Sequence, residues 1–302
     1  MLIVVDTNFV AQLSRRTDAD DLVTLLHRNG IQPLIPEKLV EEVLQTPNEE
    51  SRAKQCGVLL ELLSNGVILA PLPHQIEWGV YRFLAGEPSF KPFAAFREDR
   101  VRTLLSEAYA LPDQIICAIR SKLKGAAEHW DNMQKGGREN LQELLRSGIP
   151  IPSAGDWMTA MLESEFVYDS VLDALPDLEK RAQLRPRVAD YLKWNPVARC
   201  YHEQVLLAHR RHGIDHEMAS SPKWPKWADF EISAFVGIAD RFVTDDHRLQ
   251  LALDEHRYLR SPAAWELRSL ESFFQEVQSA NFQAGDGRVL DVWAAITHGP
   301  PN

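Results

Sequence analysis

Cysteine is scarce in this chain, with three among 302 residues, at 56, 117 and 200. Scattered and odd in number, they exclude a disulfide framework and fit reduced thiols. Long apolar runs are missing too: no stretch reaches the roughly 18 residues that a membrane-spanning helix needs. The opening run, Met1 to Val5, is broken by Asp6 and has neither a basic leader nor a small-residue cleavage site, so the expected location is the cytoplasm. Positive charge is in short supply, 33 Lys and Arg against 43 Asp and Glu, for a formal net charge of −10. That balance argues against a surface that binds polyanions all over, and any nucleic-acid contact must come from a local basic patch. Internal repeats and low-complexity segments are absent. With 45% hydrophobic residues, the chain can bury one large core or two smaller ones.

What is present begins with a strand. Residues 2–5 form a continuous apolar, β-rich run ending in Asp6, as in a parallel sheet buried on both faces. Helical spacing follows over residues 18–26, then a short strand over 32–35, a helix opened by Pro36, a helix over 50–63 and a strand over 67–70. This alternation is the rhythm of an α/β sheet. From residue 86 to 223 long helical patterns replace it, including 101–110, 114–124, 140–145 and 197–211. The alternation then returns with a helix over 229–239, a strand over 241–244 and a closing helix over 269–277. The expected division is therefore an α/β part over 1–85, a helical insertion over 86–223, a second α/β part over 224–278 and a tail over 279–302. Excision of the insertion is expected to leave the α/β core foldable.

Four acids occupy the ends and starts of these elements. Asp6 closes the first strand, Glu42 lies in the helix after the second, Asp229 starts a helix and Asp246 follows the strand over 241–244. In a parallel sheet those places share one edge, where ligands of open α/β sheets bind. Four carboxylates brought together cannot all ionise without a counter-cation, and Mg²⁺ or Mn²⁺, which prefer oxygen ligands, would resolve the conflict. Each acid alone has a plainer reading: Asp6 as a turn residue, Asp229 and Asp245 as caps, Asp240 as a turn acid before Arg241, and one of Glu41 and Glu42 as merely solvated.

These residues carry a resemblance to the PIN-domain nucleases. Val4-Val5-Asp6-Thr7-Asn8 resembles the opening strand of that family, and Ile35-Pro36-Glu37-Lys38-Leu39-Val40-Glu41-Glu42 its second motif, with Glu41 as the off-by-one alternative. Asp229-Phe230-Glu231-Ile232-Ser233-Ala234 resembles the third motif and Val243-Thr244-Asp245-Asp246 the fourth. The segment from Arg260 to Phe274 is similar to the family's last strand and helix. Asp113-Gln114-Ile115-Ile116-Cys117-Ala118 also fits the third motif, but no strand and Thr-any-Asp follow it directly, and Asp113 reads better as a helix cap after Pro112.

The resemblance implies a three-layer fold around a central parallel sheet, here interrupted by a mostly helical insertion. It implies a Mg²⁺- or Mn²⁺-dependent endoribonuclease leaving 5′-phosphate and 3′-hydroxyl ends. Asp6, Glu42, Asp229 and Asp246 would be both metal ligands and catalytic residues, with Thr7, Asn8 and Thr244 orienting carboxylates and water. By analogy it also implies a toxin or defence nuclease held inactive by an inhibitory protein partner, and it leaves homo-oligomers open. A phosphatase of the haloacid-dehalogenase type also begins with a strand-end Asp, but its chemistry wants Asp-x-Asp and Asn8 stands at the second place. A catalytically silent PIN-like binding module has no physical need for four clustered acids.

Two further groups stand out in the helical region. Cys200, His202, His209, His212 and His216 invite a zinc site, although their spacing is irregular and no Cys-x-x-Cys is present. Arg187, Lys193, Trp194, Arg199, Arg210 and Arg211 are candidates for a single-stranded RNA groove, joined by Lys180, Arg181, Arg185, His209 and His212, with Tyr191 and Tyr201 interleaved. Against that groove stands the reading of the aromatics as core residues of a helical subdomain.

Overall fold

A computed structural model describes residues 1–96, 98–107, 113–148, 150, 152–214, 227–259 and 265–279. The first strand, β1 (Leu2–Val5), is buried at all four positions, so it needs apolar side chains on both faces. Helices α1 (Thr7–Leu13) and α2 (Ala19–Arg28) lead to β2 (Gln32–Pro36), and α3 (Glu37–Leu44) and α4 (Glu49–Leu62) lead to β3 (Val67–Leu69). After a long helical stretch the chain returns as β4 (Arg241–Val243) and β5 (Glu266–Arg268). The five strands lie in the order β3-β2-β1-β4-β5, all parallel. From β1 the chain winds outward to β2 and β3, and then crosses back to β4 on the other side. The carboxyl ends of β1 and β4 therefore flank the point where the winding reverses, the place where α/β sheets open a crevice.

The helices between are α5 (Leu72–Leu84), α6 (Glu98–Ser106), α7 (Asp113–Arg146), α8 (Ala154–Leu162), α9 (Glu165–Asp173), α10 (Leu178–Leu184), α11 (Val188–Trp194) and α12 (Pro196–Ile214). Then come α13 (Trp227–Ser233) with a 3₁₀ turn (Ala234–Ile238), α14 (His247–Leu259) before β5, and α15 (Leu270–Gln278) after it. Among the described residues no helix is long and apolar enough to cross a membrane.

The helical stretch is not set apart from the sheet. Val171, Leu184, Val188, Tyr191, Val197, Ala198 and Leu206 belong to the same buried core as Ile3, Val4, Leu34 and Phe242. Helix α12 is the axis of that union, packing against α5, α7, α8, α13, α14 and the 3₁₀ turn. The approach is close at Gly237, where an added Cβ would stand 2.4 Å from the Pro196 carbonyl oxygen. Neither a separate core for the helices nor an easily excised insertion follows from this packing.

Several elements differ in detail from the sequence reading. Pro36 ends β2 and caps α3 rather than entering the helix. The patterns over 114–124 and 140–145 are parts of one helix of 34 residues, α7, which runs through Gly125. An interior glycine costs a helix on the order of 1 kcal/mol, a cost that packing along α12 offsets. Helices α1, α5 and α14 lie where the sequence reading places no element. The expected cap at Asp113, the boundary at residue 224 and the tail from residue 280 lie outside the described residues and side chains.

Candidate active site

Asp6 follows β1 directly and caps α1, its Oδ1 accepting the Phe9 amide at 2.8 Å. Its other oxygen, Oδ2, accepts the hydroxyl of Thr244, which follows β4. The adjacent strands thus bring together residues 238 apart in sequence. The same Thr244 Oγ1 accepts the Asp246 amide at 3.0 Å, tying the Thr-x-Asp turn to Asp6. Asp246 Oδ1 accepts the amides of Arg248 and Leu249 at the start of α14, and its Oδ2 accepts the Asn8 side-chain amide at 3.5 Å. Asp245 faces elsewhere and accepts the Leu270 amide at 3.0 Å. Asp240 accepts the Leu2 amide at 2.7 Å, so it registers β4 on β1.

Glu42 reaches the same edge from α3, its Oε2 accepting the Thr7 hydroxyl. Glu41, the neighbouring alternative, turns to a different set: Lys38 Nζ at 3.5 Å and the ammonium of Lys122 from α7. Asp229 is half-buried in the first turn of α13, a helix packed on both β1 and α3. The contacts described above, however, tie together Asp6, Glu42 and Asp246. Two residues on, Glu231 is buried beside Lys38 at 3.6 Å, and that ammonium also lies 4.0 Å from the centre of the Trp227 ring.

The electrostatics show the strain of burying a carboxyl beside other acids. The Asp6 carboxyl is raised from 3.8 to about 7: burial is the largest cause, Thr244 and Phe9 pull it down, and the charges of Asp246 and Glu42 add a smaller rise. Glu231 is raised to about 8, chiefly by burial, against the pull of Lys38. An all-oxygen donor set that resists ionisation on its own suits a hard divalent cation. Among the described residues, no three Asp, Glu, His or Cys side chains are grouped so that they could hold a metal ion as they stand. Asp6, Glu42 and Asp246 are instead held by hydroxyl and amide donors, so binding would require their side chains to turn.

Along the expected RNA groove Tyr191 and Trp194 are packed inward, while the cations, of which Arg185, Arg187 and Lys193 are exposed, have partners of their own. Tyr191 is fully buried and donates to the Ile76 carbonyl at 2.7 Å. Trp194 packs against Phe83 and Phe90 and donates to the Glu87 carbonyl at 3.0 Å. Arg187 lies over the Phe83 ring, Lys193 is 3.9 Å from Asp190, and Arg199 donates to Glu203 at 2.7 Å. Arg210 donates to the Pro152 carbonyl and Arg211 to that of Leu251. Arg181 and Arg185 pair with Asp173 and Asp169. The core reading of the aromatics holds because the helices bury one another, which periodicity within one helix does not reveal. Nor do the zinc candidates gather: His202 and His209 each bond a carbonyl one turn back, at Ala198 and Val205. His216 and the His212 side chain lie outside what is described.

Sequence reasoning passed over Lys38, Lys122 and Arg248. Arg248 had a usable signal, a cation two residues past the Thr-x-Asp acid. Lys122 had none, because only tertiary packing brings α7 to α3.

Fold and site together define an α/β protein with a five-stranded parallel sheet and mutually repelling carboxylates where its winding reverses. The chain matches no family model, no curated protein and no solved structure.

Proposed function

We propose that the protein is a Mg²⁺- or Mn²⁺-dependent endoribonuclease of the PIN type, acting in the cytoplasm. The observation that carries this reading is the linkage of Asp6 and Asp246, at the carboxyl ends of β1 and β4, with Glu42 of α3, and an Asp6 carboxyl raised chiefly by burial and further by the charges of the other two. Asp6, Glu42, Asp229 and Asp246 would hold the ion. When bound, it supplies positive charge that offsets the charge building on the attacking and leaving oxygens of phosphodiester hydrolysis. The chain's own residues do the positioning. The Phe9 amide holds one oxygen of Asp6, while Thr244, Thr7 and Asn8 hold Asp6, Glu42 and Asp246 at this edge, contacts from which the carboxylates would turn to take the ion. Water adds to phosphorus and the 3′-oxygen leaves, giving 5′-phosphate and 3′-hydroxyl ends. A toxin or defence role, with an inhibitory protein partner, belongs to the same proposal.

The test is incubation of the purified chain with mixed RNA, tRNA and single-stranded DNA, in Mn²⁺ or in EDTA, followed by sequencing of the ends. Mn²⁺-dependent RNA cleavage is expected, lowered by orders of magnitude in Asp6→Asn. Equal cleavage by that variant would remove Asp6 from the site.

A further inference from the structure

A phosphodiester strand approaching Asp6, Glu42 and Asp246 meets like charge, in a molecule whose net charge is already −10. Binding then depends on cations at the rim. Among the described residues, two exposed cations lie close by, one against Asp246 and one against Glu41, the residue beside Glu42. Lys122, with 62% of its side chain exposed, reaches from α7 to Glu41, the neighbour of Glu42. Arg248, 48% exposed, lies in the first turn of α14, its Nε 3.4 Å from Asp246. They approach from opposite flanks: Lys122 stands at α3, which follows β2, and Arg248 at the helix that follows β4. Strand β1, with Asp6 at its end, runs between β2 and β4. The ends of β2 and β4 are two strand spacings apart, on the order of 10 Å. Lysine has three N–H donors and arginine five, so each ion pair leaves donors for a phosphate.

We propose that Lys122 and Arg248 are the backbone anchors of the substrate: a single RNA strand crosses the site from one to the other, with phosphates on either side of the bond that is cut. This rests on the ribonuclease reading and adds the path of the strand. It also moves RNA contact away from the helical face around Lys193 and Arg199, where Tyr191 is buried and Trp194 packs against Phe83 and Phe90.

The test measures binding without chemistry. The full-length Asp6→Asn protein in EDTA is titrated with a fluorescent single-stranded oligouridine over a series of KCl concentrations. Neutralising one phosphate contact lowers the slope of log K against log salt by about 0.7 for a single strand. Lys122→Gln and Arg248→Gln should each flatten the slope by about 0.7 and both together by about 1.4. Lys193→Gln should leave it unchanged. Lys122→Arg and Arg248→Lys, which keep the charge, should restore the slope and so separate lost contact from damaged folding. Binding that is indifferent to both Gln substitutions, or that weakens in Lys193→Gln instead, overturns the proposed path while leaving the nuclease reading in place. Absence of any salt-dependent RNA binding by the parent overturns both.

Discussion

At Asp6, burial and the charges of Asp246 and Glu42 raise the carboxyl while the Thr244 hydroxyl and the Phe9 amide lower it, and the balance falls at about 7. The sign of the pH dependence follows from linkage. A carboxyl raised in the folded state binds its proton more tightly there than in the unfolded chain, where 3.8 is the ordinary value. Stability at this position is therefore greatest below about pH 4, falls as pH rises toward 7 and then levels. Three pK units correspond to on the order of 4 kcal/mol as an upper bound. In EDTA, Asp6→Asn should melt above the parent at pH 8 and converge with it near pH 4. Mn²⁺ should raise the melting temperature of the parent much more than that of the variant. A variant that melts below the parent at pH 8 in EDTA would show that the Asp6 charge is not under strain.

Helix α12 joins the helical region to the sheet through contacts that single substitutions can probe. Glu203 on α12 and His256 on α14 are both fully buried and meet at 2.8 Å, and Arg199 donates to the other Glu203 oxygen. Removing Glu203 leaves the buried His256 ring and the Arg199 guanidinium without their acceptor, a loss of about 1–3 kcal/mol. Glu203→Ala should show that loss in urea unfolding; a change under about 1 kcal/mol would mean that the pair is solvated in solution. At Gly237 the obstruction is backbone rather than a flexible side chain, since the Pro196 carbonyl stands 2.4 Å from where a Cβ would lie. Gly237→Ala should therefore lower the melting temperature clearly, and an unaltered melt would contradict so close an approach.

Among the described residues, the large core serves both the sheet and the helices, which sets what can be cut away. Deleting residues 86–214 would uncover Ile76, Val80, Phe83 and the faces of the 3₁₀ turn that α12 covers. The shortened chain should lose cooperative thermal unfolding, read by circular dichroism; a sharp transition near that of the parent would refute a shared core. The strands were legible because runs such as Leu2 to Val5 are apolar on both faces. Asp6, Thr244 and Asp246 were legible because they end those runs. Glu42 could be separated from Glu41 only by their partners, Thr7 for one and Lys38 with Lys122 for the other. The basic and aromatic helical face misled for a related reason. Whether Tyr191 or Trp194 is core depends on α5 and on the segment around Phe90, more than 100 residues earlier in the chain. The central claim is spatial, that acids from the two ends of the chain cage one kind of ion. Its most direct test is the anomalous difference map of a crystal of the full chain grown with Mn²⁺ at pH 8. A peak bounded by Asp6, Glu42, Asp229 and Asp246 is expected; an ordered site without a peak, or with Asp229 turned away from Asp6, would contradict the metal site.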